Sequence, residues 1–265
     1  MARLIRMFFL HFQHALNFRA RSFVWFLISF INPLVLLLFW QGVLTNNAVL
    51  HGWTLDSMRS YYLLLIAAQS VLMVHIEEEI GVQDIRMGEL SKFLVKPVSY
   101  FYMKLYQELP HRLMNGGYSI IAISVLLVAF RMPLIVTHDL SAILLAIAII
   151  ICAFLVSFLF KAVLAFCAFW ILNVDSVMET NDVLAFALSG LIIPLDLFPQ
   201  SMQTIASFTP YPYILYYPIT AVLGMQTHEQ LVHTVLVQLG YIAVLAVLYR
   251  VMWHHGVRKF TGMGQ

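Results

Sequence analysis

Phosphate binding, metal ligation and acyl transfer each demand particular residues at particular spacing, and the sequence supplies none of these sets. A P-loop needs a glycine directly before its phosphate-binding lysine, and no glycine here precedes a lysine. A zinc-protease helix needs two histidines four residues apart on one face. His228 and His233 stand five apart, which turns one about 140° from the other at 3.6 residues per turn. No Gly-x-Ser-x-Gly elbow is present. Cys152 and Cys167 both lie inside apolar runs, where a thiol behaves as a small hydrophobe, so neither a disulfide framework nor a metal site is expected. The chain is expected to carry no catalytic residue, no metal and no cofactor of its own.

Three polar or irregular segments remain as candidates. The densest spans residues 77–112, beginning Glu77-Glu78-Glu79. Its core, from Asp84 through Arg86, Gly88, Glu89, Leu90, Lys92 and Lys96 to Pro97, keeps Ile85, Leu90, Phe93 and Leu94 among charges of both signs. That pattern predicts a short amphipathic helix that docks on another protein and stops at Pro97; a solvated connection is the alternative. In the second, Asp175, Glu179 and Asp182 fall at i, i+4 and i+7, so three carboxylates share one face if the segment is helical. They could attract cationic cargo at an inner mouth, or simply be solvated. The third, residues 194–218, holds five of the nine prolines among phenylalanines and tyrosines. Such proline density forbids a continuous helix, and the aromatics suit a membrane interface; short broken helices dipping in from the outer face fit both, and an ordered outer loop with an aromatic belt is the alternative.

The elements that position these segments are apolar. Of the residues, 62% are hydrophobic and 11% charged, against about 45–50% and about 25% in soluble domains. This excludes an ordinary globular enzyme. A net charge of +2, with the basic residues at span ends, makes a nucleic-acid partner unexpected. Apolar runs at Phe23–Leu44, Tyr61–Ile76, Leu113–Phe130, Leu140–Phe160, Val183–Leu195 and Leu231–Val251 predict six spans. The fifth is too short alone, so its helix is expected to begin earlier, within Asn173–Asp182. Residues 3–18 place apolar side chains at helical spacing opposite polar ones, which predicts a helix lying in the interface. With both termini cytoplasmic, Arg3, Arg6, Arg19, Arg21, Arg86, Lys92, Lys96, Lys104, Arg112, Arg250, Arg258 and Lys259 fall inside. Only Arg59 and Arg131 fall outside, with Lys161 ambiguous. That bias sets the orientation.

The residues also carry a resemblance. Arg86-x-Gly88-x-Leu90 followed by Lys96-Pro97, the block Ser189 to Pro199 containing Pro194, Asp196, Phe198 and Pro199, and Tyr216-Tyr217-Pro218 together resemble the permease subunits of type-2 ABC exporters. The nearest branch is the small bacterial permeases encoded with a separate ATPase. The resemblance covers nearly the whole chain and implies an all-α integral membrane fold, one transmembrane domain over 1–265. Residues 1–21 would form an interfacial connecting helix, 77–112 a cytoplasmic coupling loop and 196–224 re-entrant helices on the outer side. It further implies cytoplasmic ABC ATPase subunits that hold the ATP and Mg, a second permease chain, alike or different, and surrounding lipid. The site would be the bacterial inner membrane, and the task efflux of an amphiphilic or lipid-like substrate. Asn32, Pro33, Gln41 and Gln69, polar or helix-breaking within spans, are candidates for the path, together with Asp175, Glu179 and Asp182. The acidic start at Glu77-Glu78-Glu79 departs from the family pattern.

Two other readings are open. A secondary carrier would normally show more spans, internal repeats and buried ion-coupling residues, and these are missing. A non-transporting membrane scaffold is compatible with the residues, because a conduit is not written in any motif.

Overall fold

The computed structural model describes residues 2–17, 19–44 and 49–261; the rest, and the side chains of Ala2, Arg3, Leu4, Ile5, Met7, His14 and Arg21, lie outside the described residues. The architecture is helical. In chain order come α1 (Ala2–Asn17), α2 (Arg19–Val43), α3 (Leu55–Leu72), a π-helical segment (Glu79–Arg86), α4 (Ser91–Leu94), α5 (Tyr100–Phe130) and α6 (Leu140–Phe166). Then follow α7 (Val174–Leu188), α8 (Gln200–Ser207), α9 (Tyr211–Ile214), α10 (Tyr216–Leu223) and α11 (His228–Lys259).

Among the described residues, four helices are long and apolar enough to cross a membrane: Ser22–Val43, Tyr100–Phe130, Leu140–Phe169 and His228–Lys259. The 27 residues of α6 rise about 40 Å at 1.5 Å each, more than a hydrocarbon core of about 30 Å. Their outward faces are unsuited to water. On α2, Val24, Trp25, Ile28, Ile31, Val35 and Leu38 are all exposed, at a helical spacing that lines one side with apolar groups. This is an all-α, multi-pass membrane protein.

The core is built on α3, whose Tyr61, Tyr62, Leu63, Leu65 and Ile66 are buried almost completely. α2, α5 and α10 pack around it, while α6 runs along α11 and α1 lies on α5. The helix starts are chemically marked. Thr54 and Ser57 form a capping box at α3, Thr227 and Gln230 another at α11, and Asp139 accepts from Ser141 and Ala142 at the start of α6. Each satisfies backbone donors that the first helical turn leaves free.

α7 begins at Val174, inside the polar stretch where the fifth apolar run was expected to start, and ends at Leu188 rather than running to Leu195. Gly190, with φ +83°, turns the chain there, and an added Cβ would come within 2.7 Å of the Tyr61 hydroxyl. The carbonyls freed by this turn are not wasted. Tyr61 donates to Gly190 O at 2.6 Å, Tyr62 to Ile192 O at 2.6 Å, and Trp40 Nε1 to the Tyr62 hydroxyl at 2.8 Å. The second run likewise stops early. α3 ends at Leu72, and Met73–Ile76 continue as non-helical chain, where Val74 N finds the Ser157 hydroxyl of α6 at 3.2 Å.

Candidate functional site

The 77–97 segment lies beside the first turns of α5, the last turns of α6 and the C-terminal part of α11, where Trp253 stacks on Tyr100 at 4.6 Å. It is two pieces, not one amphipathic helix. The π-helical segment ends at Arg86, Gly88 takes φ +81°, and α4 follows. A positive φ suits glycine and strains other residues, so the helix expected from Asp84 to Pro97 is cut at Gly88.

The buried side of this segment is fastened by charge. Asp84, 2% exposed, lies 2.6 Å from Lys104 Nζ and accepts from the Tyr100 hydroxyl. Lys104 also pairs with Glu79, which takes a 2.7 Å hydrogen bond from Gln107, and stands over the Phe93 ring at 4.8 Å. Burial pushes the Asp84 carboxyl above the ordinary carboxylate range, while Lys104 and Tyr100 pull it back. Leu90 is buried completely beneath α4.

The other side of the segment is open. Met87, Leu94 and Val95 are exposed, Val95 by 83%. So are Glu89, Lys92, Lys96 and Pro97, with Arg86 half-buried. The eight residues nominated from the sequence therefore divide: Asp84, Gly88 and Leu90 hold the segment in place, and the others stand at or near its surface.

A second set of ion pairs ties the same segment to α6 and α7. Lys161 Nζ of α6 lies 2.5 Å from Glu77 Oε1 and 3.1 Å from Asp182 Oδ1. Arg86 lies 3.5 Å from Asp175. Burial raises the Glu77 carboxyl, against the opposing pull of Lys161. Two of the three α7 carboxylates are thus engaged by neighbouring cations, and Glu179 is exposed. In α5, Arg112 holds Glu108 at 2.5 Å and reaches Ser70 O at the end of α3. The sequence reasoning missed Lys104, Tyr100 and Lys161. Lys161 had a usable signal, a lone cation inside an apolar run, since such a residue normally faces a partner.

The remaining candidates are dispersed. Asn32 is half-buried in α2, Gln69 is buried in α3, and Gln41 Nε2 is buried without a hydrogen-bond partner. The α7 carboxylates belong to a helix packed mainly on α6 and α9, so these residues do not form one cluster.

At the other end of the bundle, the proline-rich segment forms a short 3₁₀ turn (Leu195–Leu197) and helices α8, α9 and α10. Pro194, Tyr216 and Pro218 are buried, Phe198 and Tyr217 half-buried, and Asp196 and Pro199 exposed. Gln238 of α11, wholly buried, donates to Tyr213 O at 2.8 Å and Ile149 O at 3.2 Å, joining this segment to α6. Thr234 and Trp253 on α11 are nineteen residues apart, about 28 Å along the helix, so the two ends are separated by roughly the thickness of a bilayer core. Among the described residues no group of three or more His, Cys, Asp or Glu side chains could hold a metal ion.

No curated protein and no solved structure matches the chain. A family model does: the one described as ABC-2 family transporter protein matches residues 30–264. A bundle of apolar helices with a charged segment fastened at one end is the frame on which that match falls, and it implies an ABC ATPase partner. The chain belongs to the ABC-2 family of transporter proteins, as a membrane permease component and not a catalytic one.

Proposed function

We propose that the chain is the permease subunit of an ATP-driven exporter, and that residues 77–97 are the handle by which a separate ATPase moves it. The observation that carries this is the two-sidedness of the segment. Asp84 and Leu90 are locked inward, while Met87, Glu89, Lys92, Leu94, Val95 and Lys96 offer apolar and charged groups outward. A surface that must transmit force needs both a grip and an anchorage.

In this reading the ATPase closes on ATP and Mg and displaces the segment. Lys104 carries the displacement to α5 through Asp84 and Glu79, and Lys161 carries it to α6 and α7 through Glu77 and Asp182. The helices α2, α3, α5, α6, α7 and α11 are the six spans. Both termini and the 77–112 loop face the cytoplasm of a bacterium, α1 lies in the inner leaflet interface, and the 196–224 segment closes the outer exit. Two permease chains, alike or different, enclose the path for an amphiphilic or lipid-like substrate. Asp175 and Asp182 of α7 act in this scheme as anchors for the handle.

The test is copurification and coupling. Gentle extraction should bring down a soluble protein with a Walker A loop. Gly88→Pro should leave membrane insertion intact but abolish stimulation of that ATPase by substrate. An intact response in Gly88→Pro, or no ATPase in the extract, would falsify the assignment.

A further inference from the structure

The end of the bundle opposite the 77–97 segment contains a cleft of about 500 Å³ between the 195–207 stretch, α10 and the start of α11. That volume falls in the range of small-molecule sites, which is about 300–1,000 Å³. Its lining is unusual in being mostly hydroxyl and amide, and the direction of the hydrogen bonds decides what it can receive.

The serine and threonine hydroxyl protons are directed within the protein. Thr204 donates to Gln200 O, Ser207 to Thr204 O, Thr220 to Tyr216 O, and Thr234 to Gln230 O. Two amide donors are used in the same way. Gln203 Nε2 donates to Phe198 O at 2.8 Å and Asp196 O at 3.3 Å. Gln226 Nε2 donates to Tyr217 O and to Thr220 Oγ1, both at 2.7 Å. Because a main-chain carbonyl can only accept, these contacts also settle which end of each amide is nitrogen. What these four hydroxyls and two amides retain for a ligand is oxygen lone pairs. Gln200, Gln230 Nε2, the His233 ring and the Tyr217 hydroxyl supply the remaining donor capacity.

Asp196 adds the one carboxylate of the lining; it accepts a hydrogen bond from the Tyr216 hydroxyl, which leaves lone pairs for a ligand, and Tyr217 stands beside it. A cleft rich in acceptor oxygens, with one carboxylate and no lysine or arginine in its lining, is complementary to a cation that carries N–H donors. A neutral polyol can donate to the same oxygens but gains nothing from the Asp196 charge, and an anion would meet Asp196.

We propose that this cleft is a binding site for a small aliphatic primary amine or diamine in its ammonium form, with Asp196 as counter-ion and the oxygens of Gln203 and Gln226 among the acceptors. The site does not depend on the export reading. Binding is measured on the chain alone, so its failure leaves the ATPase-handle assignment untouched, and the reverse also holds.

The experiment is calorimetric titration of the full chain in nanodiscs of zwitterionic lipid, with empty nanodiscs subtracted. The probes are putrescine, butanediol as its uncharged isostere, and tetramethylammonium as a cation without N–H donors. Putrescine should bind, with butanediol and tetramethylammonium each at least tenfold weaker. Asp196→Asn should weaken putrescine at least tenfold. Gln200→Glu, which adds a second carboxylate at an exposed position, should tighten it several-fold, a gain that misfolding cannot produce. Absence of putrescine binding, equal binding of butanediol, an unchanged affinity in Asp196→Asn, or no gain in Gln200→Glu would each overturn the proposal.

Discussion

The two ends of the bundle are held by different chemistry. Around the 77–97 segment the ties are ionic: Lys104 with Asp84 and Glu79, Lys161 with Glu77 and Asp182, Arg112 with Glu108. Around the 190–238 region most are neutral: tyrosine hydroxyls on Gly190 O and Ile192 O, and the Gln238 amide on Tyr213 O and Ile149 O, with the Asp196 carboxylate beside Tyr216 the exception. Neutral bonds satisfy carbonyls that broken helices release, and they do so without the desolvation cost of an ion. Ion pairs act over a longer range and tolerate small displacements, because Coulomb attraction falls slowly with distance. Under the proposed export function, the ionic end is the one that would be pushed and the neutral end the one that would keep a set shape.

This contrast can be broken or sharpened by substitution. The largest effect is expected from Lys161→Met. It strips the cation from Glu77, whose side chain is 7% exposed, and leaving a buried charge unpaired costs about 3–5 kcal/mol. Unfolding followed in detergent should show that loss, and adding Glu77→Gln should recover part of it. An effect no larger than that of the neutral end would erase the distinction.

Gln238→Leu is the matching probe at the other end. It leaves Tyr213 O and Ile149 O without their side-chain donor, at a cost of about 1–3 kcal/mol, and should loosen α9 against α6 without altering ATPase stimulation. The smallest effect is expected from Arg86→Gln. The Arg86–Asp175 pair is 3.5 Å long with side chains 37% and 57% exposed, so its contribution to stability is at most about 1 kcal/mol. If Arg86→Gln leaves the unfolding temperature alone yet reduces ATPase stimulation, the ionic end transmits motion; a large drop in stability with normal stimulation would mean it only braces the fold.

Much of the fold could be read from residue order. The runs that became α2, α6 and α11 are long and apolar, and the polar stretch after Asn173 did prove to start a helix. The prolines between 194 and 218 did prevent a single helix, leaving α8, α9 and α10. Reading failed at 84–97, because amphipathic spacing carries no information on the φ that Gly88 adopts once Leu90 is pulled inward. The α7 stripe was legible in part. The i, i+4, i+7 spacing puts three acids on one face of what is a helix, but only packing brought Arg86 and Lys161 to two of them.

Sequence alone determined that this chain is helical and membrane-bound and that the proline-rich stretch 194–218 is broken, since hydropathy and proline act locally along the chain. The tertiary structure decided which charges became anchors, which faces of the 77–97 segment stayed open, and which hydroxyls spent their protons internally. Those outcomes depend on residues tens of positions apart, such as Glu77 with Lys161 and Tyr62 with Ile192, which meet only when the helices have packed.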